Sequence, residues 1–319
     1  MAKPRQPASP VGSTNPNAVK LAELQVRRGR SQRAFFEYQF EGARGALEEM
    51  RRFTDTRNKK LLDLGCGYGG VSVYLAMNGI RVIAVDNQLY EDEFLTSARR
   101  FAAEKKTRVT FCLADANHLP FKTSSFDIIR LDSVLEHLKN PAAALAECRR
   151  LLRPDGYVFI NFPLFYSPYG GHIFDYIKIP WLHVLPPRWV CRCLSMQPDK
   201  PGIITTDYVA KLYGSLNRMT LRKYKRLLHQ TNLKEIHSEK NLYLPHDAAL
   251  FLKALKSAPA AKSLQTIRKN FARVHISSLL VFFFLFLLYR LPIRRTPPFN
   301  EVIISGVRSV VTTEGGLAE

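Results

Sequence analysis

Residues 61–70 read Leu-Leu-Asp-Leu-Gly-Cys-Gly-Tyr-Gly-Gly, and the fold follows from this decapeptide. An apolar strand carrying Asp63 turns through glycines 65, 67, 69 and 70 and enters Val71-Ser-Val-Tyr-Leu-Ala, a helical stretch. Backbone without Cβ atoms can approach a ligand closely, and a helix N-terminus aims free N–H groups at it. Gly65, Gly67 and Gly70 also satisfy the dinucleotide pattern G-x-G-x-x-G, so the glycines alone leave two ligand classes open. Asp63 separates them. Its carboxylate would repel a pyrophosphate and attract a ligand bearing an ammonium and a sulfonium. S-adenosylmethionine (SAM) is such a ligand.

Two further acids fit this reading. The strand Ile80-Arg-Val-Ile-Ala-Val ends in Asp86, 21 positions after Gly65, the distance at which a second-strand acid meets a ribose diol. The strand Val109-Thr-Phe-Cys-Leu-Ala ends in Asp115. SAM offers an amine, ribose hydroxyls and an adenine amine along its length, and the chain supplies three strand-end carboxylates in order. Helix capping would explain any one of these aspartates alone; it does not explain all three beside a glycine turn.

From residue 60 strands and helices alternate: strands near 60–64, 81–85, 109–113, 126–131 and 156–162, helices near 70–78, 93–105 and 141–152. Arg153-Pro-Asp-Gly156 reads as a helix stop and turn. Such alternation predicts an α/β fold, a doubly wound and mostly parallel Rossmann-like sheet that binds ligands at the carboxyl ends of its strands.

Asp63-Leu-Gly-Cys-Gly-Tyr-Gly, Val85-Asp86, Ala114-Asp-Ala-Asn-His-Leu-Pro-Phe121, Phe126-Asp-Ile-Ile, Val134-Leu-Glu-His-Leu138 and Leu151-Leu-Arg-Pro-Asp-Gly156 resemble the class I SAM-dependent methyltransferases, type 11-like. The resemblance is strongest to the subgroup that includes quinone and sterol C-methyltransferases. It covers residues 58–163, a third of the chain. It implies a seven-stranded sheet, SAM as cofactor, and a binding set of Asp63, Gly65, Gly67, Gly69, Asp86, Asn87, Asp115, Ala116 and Asp132. Asp132, just past the fourth strand, would face the methyl-donor end. Glu136-His137 reads as structural support beside the cofactor. The remaining core elements are placed at Leu221–His229 (helix), Leu233–Leu244 (sixth strand) and Glu301–Thr312 (seventh strand, its hairpin partner).

The predicted organisation is a disordered basic tail at 1–18, a helical cap at 19–57, the SAM-binding core at 58–163, a substrate lid at 164–219, a core helix and strand at 220–244, an apolar and basic helical insertion at 245–299, a last strand at 300–313 and a tail at 314–319. The cap helix is expected to break at Gly42 and Gly45 and to pack on the sheet edge; the competing reading has it cover the nucleotide site, with Tyr38 or Arg44 reaching in.

The lid segment Phe165–Pro187 concentrates aromatic residues with His172, Asp175 and His183. That mixture suits a pocket that stacks on a ring and removes a proton from a hydroxyl, so these three are the candidate catalytic residues. The competing reading is a packed lid with structurally satisfied histidines. A metal site built from the same three is not expected, because nothing else in the segment offers ligands. Its Tyr-Gly-Gly-His…Pro-Trp-x-His pattern resembles bacterial methyltransferases associated with glycan or surface-polymer assembly.

The second insertion holds Ile276-Ser-Ser-Leu-Leu-Val-Phe-Phe-Phe-Leu-Phe-Leu-Leu-Tyr289 between arginine-bearing flanks. Fourteen helical residues reach roughly 21 Å, short of a membrane span, and a paired sixth and seventh strand would bring the chain back to the side it left. The expectation is a monotopic or re-entrant element, with residues 262–295 against an anionic membrane surface. A homodimer interface would also bury this run; the oligomeric state is open.

The charge distribution agrees. The net charge is +20; residues 61–163 are balanced at 12 basic and 12 acidic residues, whereas 1–60 carry 13 against 6 and 164–319 carry 22 against 9. Basic flanks favour nucleic acid, anionic lipid or an acidic substrate. The five cysteines show no metal or disulfide spacing and no secretory leader is evident, so the expected localisation is cytoplasmic, with peripheral or monotopic membrane association.

The resulting expectation is an enzyme that transfers a methyl group from SAM to a hydroxyl of a sugar or lipid-linked glycan at the membrane surface. A quinone or other lipophilic acceptor is the alternative. Its rivals are an RNA-binding protein or RNA methyltransferase, a non-catalytic SAM-fold scaffold and an NAD oxidoreductase. Nucleic acid is not the expected partner, because it offers the apolar run nothing to contact.

Overall fold

A computed structural model describes residues 24, 27–87, 94–168, 170–177, 179, 181–198, 201–241 and 306–313. The strands are β1 (Lys60–Leu64), β2 (Arg81–Asp86), β3 (Thr110–Leu113), β4 (Phe126–Asp132), β5 (Leu152–Pro163), β6 (Leu233–Asn241) and β7 (Gly306–Thr313). The helices are α1 (Gln32–Arg51), α2 (Gly70–Met77), α3 (Phe94–Glu104), α4 (Pro141–Leu151), α5 (Pro187–Ser195), α6 (Thr206–Ser215) and α7 (Leu221–Gln230). One seven-stranded sheet runs β3-β2-β1-β4-β5-β7-β6. β7 is antiparallel to both β5 and β6; the other pairings are parallel. The Rossmann-like sheet and the β6–β7 hairpin pairing are as the sequence implied.

Strand periodicity sorts the core into two layers. Leu61, Val82, Ala84, Ile128 and Phe159 pack with Phe36, Leu47 and Met50 of α1, Val73 and Leu75 of α2, and Phe101 of α3. Leu62, Leu64, Ile129, Leu131 and Ile160 pack on the other face with Leu145 and Cys148 of α4 and Tyr224 and Leu228 of α7. A smaller cluster, including Ile173, Leu182, Val190 and Val209, holds the lid together.

Two local expectations are corrected. Helix α1 runs unbroken through Gly42 and Gly45. Each glycine costs about 1 kcal/mol in a helix interior, but Ser31 caps the first turn through the amide of Ala34, and Phe36, Ala43, Leu47 and Met50 are buried. Packing of that face outweighs propensity. The turn at 153–156 is instead an irregularity within β5: Phe126 pairs with Leu152, yet Ile128 pairs with Tyr157. A Cβ on Gly156 would stand 2.9 Å from the Asp127 carbonyl oxygen. The expectations for 1–18, 245–299 and 314–319, including the membrane-facing element at 262–295, fall outside the described residues.

Candidate active site

The glycine turn sits at the carboxyl ends of β1 and β2. Gly65, Gly67 and Gly69 all have positive φ (77°, 53° and 77°), which a side chain would strain. Gly65 also lies against the residue that follows β4: a Cβ there would be 2.2 Å from Val134 Cγ2. The amides of Gly65 and Cys66 donate to the Val85 carbonyl, and that of Gly67 donates to Asp86 Oδ2 at 2.8 Å.

Asp63 is completely buried. Its Oδ2 accepts from Ser72 Oγ at 2.5 Å and its Oδ1 from Arg130 Nη1 at 2.9 Å. Asp63 and Arg130 are register partners on β1 and β4, so adjacency of the strands brings them together. The second arm of Arg130 donates to Asp132 Oδ2, and Asn161 donates to Asp132 Oδ1 at 2.7 Å. The carboxylate read above as the attractor of a cation is thus matched inside the protein. It ties β1 to the first turn of α2 and to β4, and attraction of a cationic ligand falls to the acids nearer the surface.

Those acids are Asp86 and Asp115. Asp86 Oδ1 accepts from the Asn87 amide at 2.8 Å, so its carboxylate clasps both the glycine turn and the chain leaving β2. Asp115 is exposed and takes the amide of Asn117; Ala116 beside it is buried. Carboxylate oxygens hold two lone pairs each, so Asp86 and Asp115 suit the hydroxyl and amine donors of SAM. These residues fit that cofactor. A third of the Asp132 side chain is exposed at the end of β4. Gln39 of α1, absent from the sequence reading, accepts from the Gly70 amide at 3.2 Å. Arg44 instead pairs with Glu48 on the outer face.

The lid is fastened to the sheet by histidines. His172 has a positive φ of 59° and stacks beside His137, ring centroids 5.0 Å apart, with their Nε2 atoms at 3.2 Å. Ser215 Oγ gives its hydrogen to the Leu212 carbonyl at 2.7 Å, so it accepts from His137 Nδ1 at 2.7 Å, and that ring presents an Nε2 lone pair. Burial drives the His137 pKa down to about 3, with His172 adding to the effect. Glu136 is 2% exposed, and neither of its oxygens has a hydrogen-bond partner among the described residues. Its Oε1 lies 3.7 Å from His172 Nε2, too far for a hydrogen bond but close enough for charge to be felt. Burial raises the Glu136 pKa, while His172 works against that shift. The sequence reading named His172 and took Glu136-His137 for support; the structure brings all three together.

His183 is a correction. It is 2% exposed, its Nε2 meets the Phe165 carbonyl at 2.6 Å, and a Cβ on Gly171 would come within 2.1 Å of its Cβ. It is a packed lid residue. The backbone of Asp175 closes the 3₁₀ turn Ile173–Asp175, and its side chain lies outside the described residues. Burial lowers the His183 pKa from 6.5 to about 4, against the Phe165 carbonyl, with His172 contributing to the lowering. The unfolded chain therefore binds more protons between those values. The stability is complete above pH 6.5 and is lost as pH falls toward 4, by about 3 kcal/mol at most. Urea titrations across that window should show the loss, and a shallower one in His183→Asn.

Residues 62–160 match the family model described as a methyltransferase domain. A ubiquinone biosynthesis O-methyltransferase of Hydrogenovibrio crunogenus is 34% identical over 116 residues, 36% of this chain and 47% of that protein. An uncharacterized methyltransferase of Schizosaccharomyces pombe is 32% identical over 108 residues, 32% of this chain and 39% of that protein. The aligned part of the chain thus spans about half or less of these curated relatives. Among solved structures, that of the [4+2]-cyclase SpnF covers 85% of this chain and 81% of its own at a TM-score of 0.50 and 14% identity, a likeness of fold.

Proposed function

We infer that this chain, whose residues 62–160 are a class I SAM-dependent methyltransferase domain, moves the methyl group of SAM to a hydroxyl oxygen of a ring-bearing acceptor. The carbon–sulfur bond breaks as the carbon–oxygen bond forms, S-adenosylhomocysteine leaves, and the hydroxyl proton passes to the protein. The observation that carries the hydroxyl assignment is Glu136, a buried carboxylate beside His172 with no hydrogen-bond partner among the described residues. A carboxylate in that position gains by taking a proton, and general-base assistance of this kind contributes about 10²–10⁴-fold. Alignment of acceptor and donor supplies much of the rest. The O-methyltransferase names of the relatives support oxygen as the target, and their association with ubiquinone favours a hydroxyl-bearing quinone precursor over a sugar.

Encounter with the acceptor at a membrane surface is supported by the run Ile276–Tyr289 and by α5. That helix buries Val190 and Leu194 but exposes Trp189 beside Arg188 and Arg192, with Val184, Leu185 and Met196 exposed around it. Such a pairing suits an anionic lipid interface. The test is incubation of membrane extracts with methyl-labelled SAM and separation of quinones, lipid-linked glycans and RNA. Label in the quinone fraction is expected; label in glycans would reassign the acceptor, and label in RNA alone would refute the reading. Replacing Trp189 and Met196 by serine should weaken binding to anionic vesicles about tenfold, ~1.4 kcal/mol, and leave SAM affinity unchanged.

A further inference from the structure

We propose that Glu136, His137 and His172 bind a divalent transition-metal cation, with Glu136 Oε1 and the two Nε2 atoms as its protein ligands. The three atoms are separated by 3.2, 3.7 and 3.8 Å. A triangle with those sides has a point about 2.1 Å from every corner, which is the length of a zinc–imidazole or zinc–carboxylate bond. The ring centroids are 5.0 Å apart and the Nε2 atoms only 3.2 Å. The Nε2 atoms are thus closer together than the ring centres of the two stacked imidazoles, whose planes are 28° apart.

The surroundings supply what such a site needs. Ser215 holds His137 by Nδ1, so its Nε2 carries the lone pair; anchoring of the outer nitrogen commonly orients ligating histidines. Glu136 is 2% exposed with both oxygens unpartnered among the described residues, and a cation would answer that charge. In the metal-free chain one proton must lie between the Nε2 atoms, and His172 carries it, because His137 already holds its own on Nδ1. The cation takes its place, and the proton goes to solvent or to the outer nitrogen of His172. Two imidazoles and one carboxylate suit zinc, iron or cobalt and leave coordination positions for further ligands. They do not suit magnesium or calcium, which prefer oxygen ligands throughout.

The cluster joins segments that are far apart in sequence. Glu136 and His137 close the 3₁₀ turn Leu135–His137 beyond β4, while His172 comes from the lid and Ser215 from the end of α6. A bound cation would thus tie the lid to the sheet beside the glycine turn. The donor set is the same whatever the acceptor, and it shares Glu136 with the proposed base.

The test uses the full-length chain stripped with chelator. Titration with Co²⁺ should give one equivalent of visible d–d absorption, displaced by Zn²⁺ and unaffected by Mg²⁺. Calorimetry with Zn²⁺ in two buffers of different ionisation enthalpy shows whether a proton leaves for solvent or moves to His172 Nδ1. Glu136→Gln, His137→Ala and His172→Ala should each weaken Zn²⁺ binding more than tenfold, and Ser215→Ala, which keeps all three ligands, about tenfold. Far-ultraviolet circular dichroism confirms that each variant is folded. Absence of one-equivalent binding, or binding that survives all three ligand replacements, would overturn the site. Because Glu136 is shared with the proposed base, loss of Zn²⁺ binding in His137→Ala and Ser215→Ala, which keep that carboxylate, separates the metal site from the chemistry, and the labelling experiment reads methyl transfer by itself.

Discussion

Replacing Arg130 by methionine is expected to cost about 3–5 kcal/mol of folding stability, the penalty for leaving one partner of a buried ion pair behind. Asp63 is completely buried, and without the guanidinium its charge would keep only the Ser72 hydroxyl. Asp132 would lose one of its donors as well. Urea unfolding monitored by circular dichroism measures the loss. The double variant Asp63→Asn/Arg130→Met should recover most of it, since two neutral side chains leave no orphaned charge. A single-variant cost below about 1 kcal/mol would show that the pair contributes no more than a surface bridge and that Asp63 is answered some other way.

Glu136→Gln should slow methyl transfer by about 10²–10⁴-fold, leave SAM affinity unchanged, and make the protein more stable at neutral pH. Burial raises the pKa of Glu136 above the carboxylate value, so the native chain binds the extra proton in the interval between the two. Stability therefore declines as pH rises through that interval, and above it the charged form carries the whole desolvation penalty. Glutamine removes the decline. Initial rates at saturating SAM, paired with urea midpoints from acid to neutral pH, separate the two effects. Turnover within twofold of the parent would remove Glu136 from the chemistry. A parallel loss of SAM binding would mark it as a cofactor contact instead.

Much of the fold could be read directly. The strand ends at Asp86 and Asp132, the glycine turn and the hairpin of the last two strands carry their signals in local pattern. What could not be read depends on contacts that local pattern does not encode. Arg130 stands in an apolar strand and would pass for an edge exposure; only the adjacency of β1 and β4 makes it the register partner of Asp63. The continuity of α1 through Gly42 and Gly45 is decided by what its other face buries. The meeting of His172 with Glu136 requires the left-handed backbone at His172 and the tight packing of Gly170 and Gly171, where a Cβ on Gly170 would lie 2.1 Å from the Leu164 carbonyl oxygen. The same packing made His183 a packed residue. Residue type alone did not distinguish the two histidines, since both occur in one aromatic segment.

Asn241, the last residue of β6, is paired with Gly306, the first of β7. The excursion from 242 to 305 thus departs from and returns to a single rung of the sheet. Closing such a loop becomes only slowly more costly as it lengthens, by about 0.6 kcal/mol per doubling. The rung acts as a socket. A change in the length of that excursion therefore loads the β6–β7 edge, at the opposite side of the sheet from β1 and β2 and the glycine turn between them.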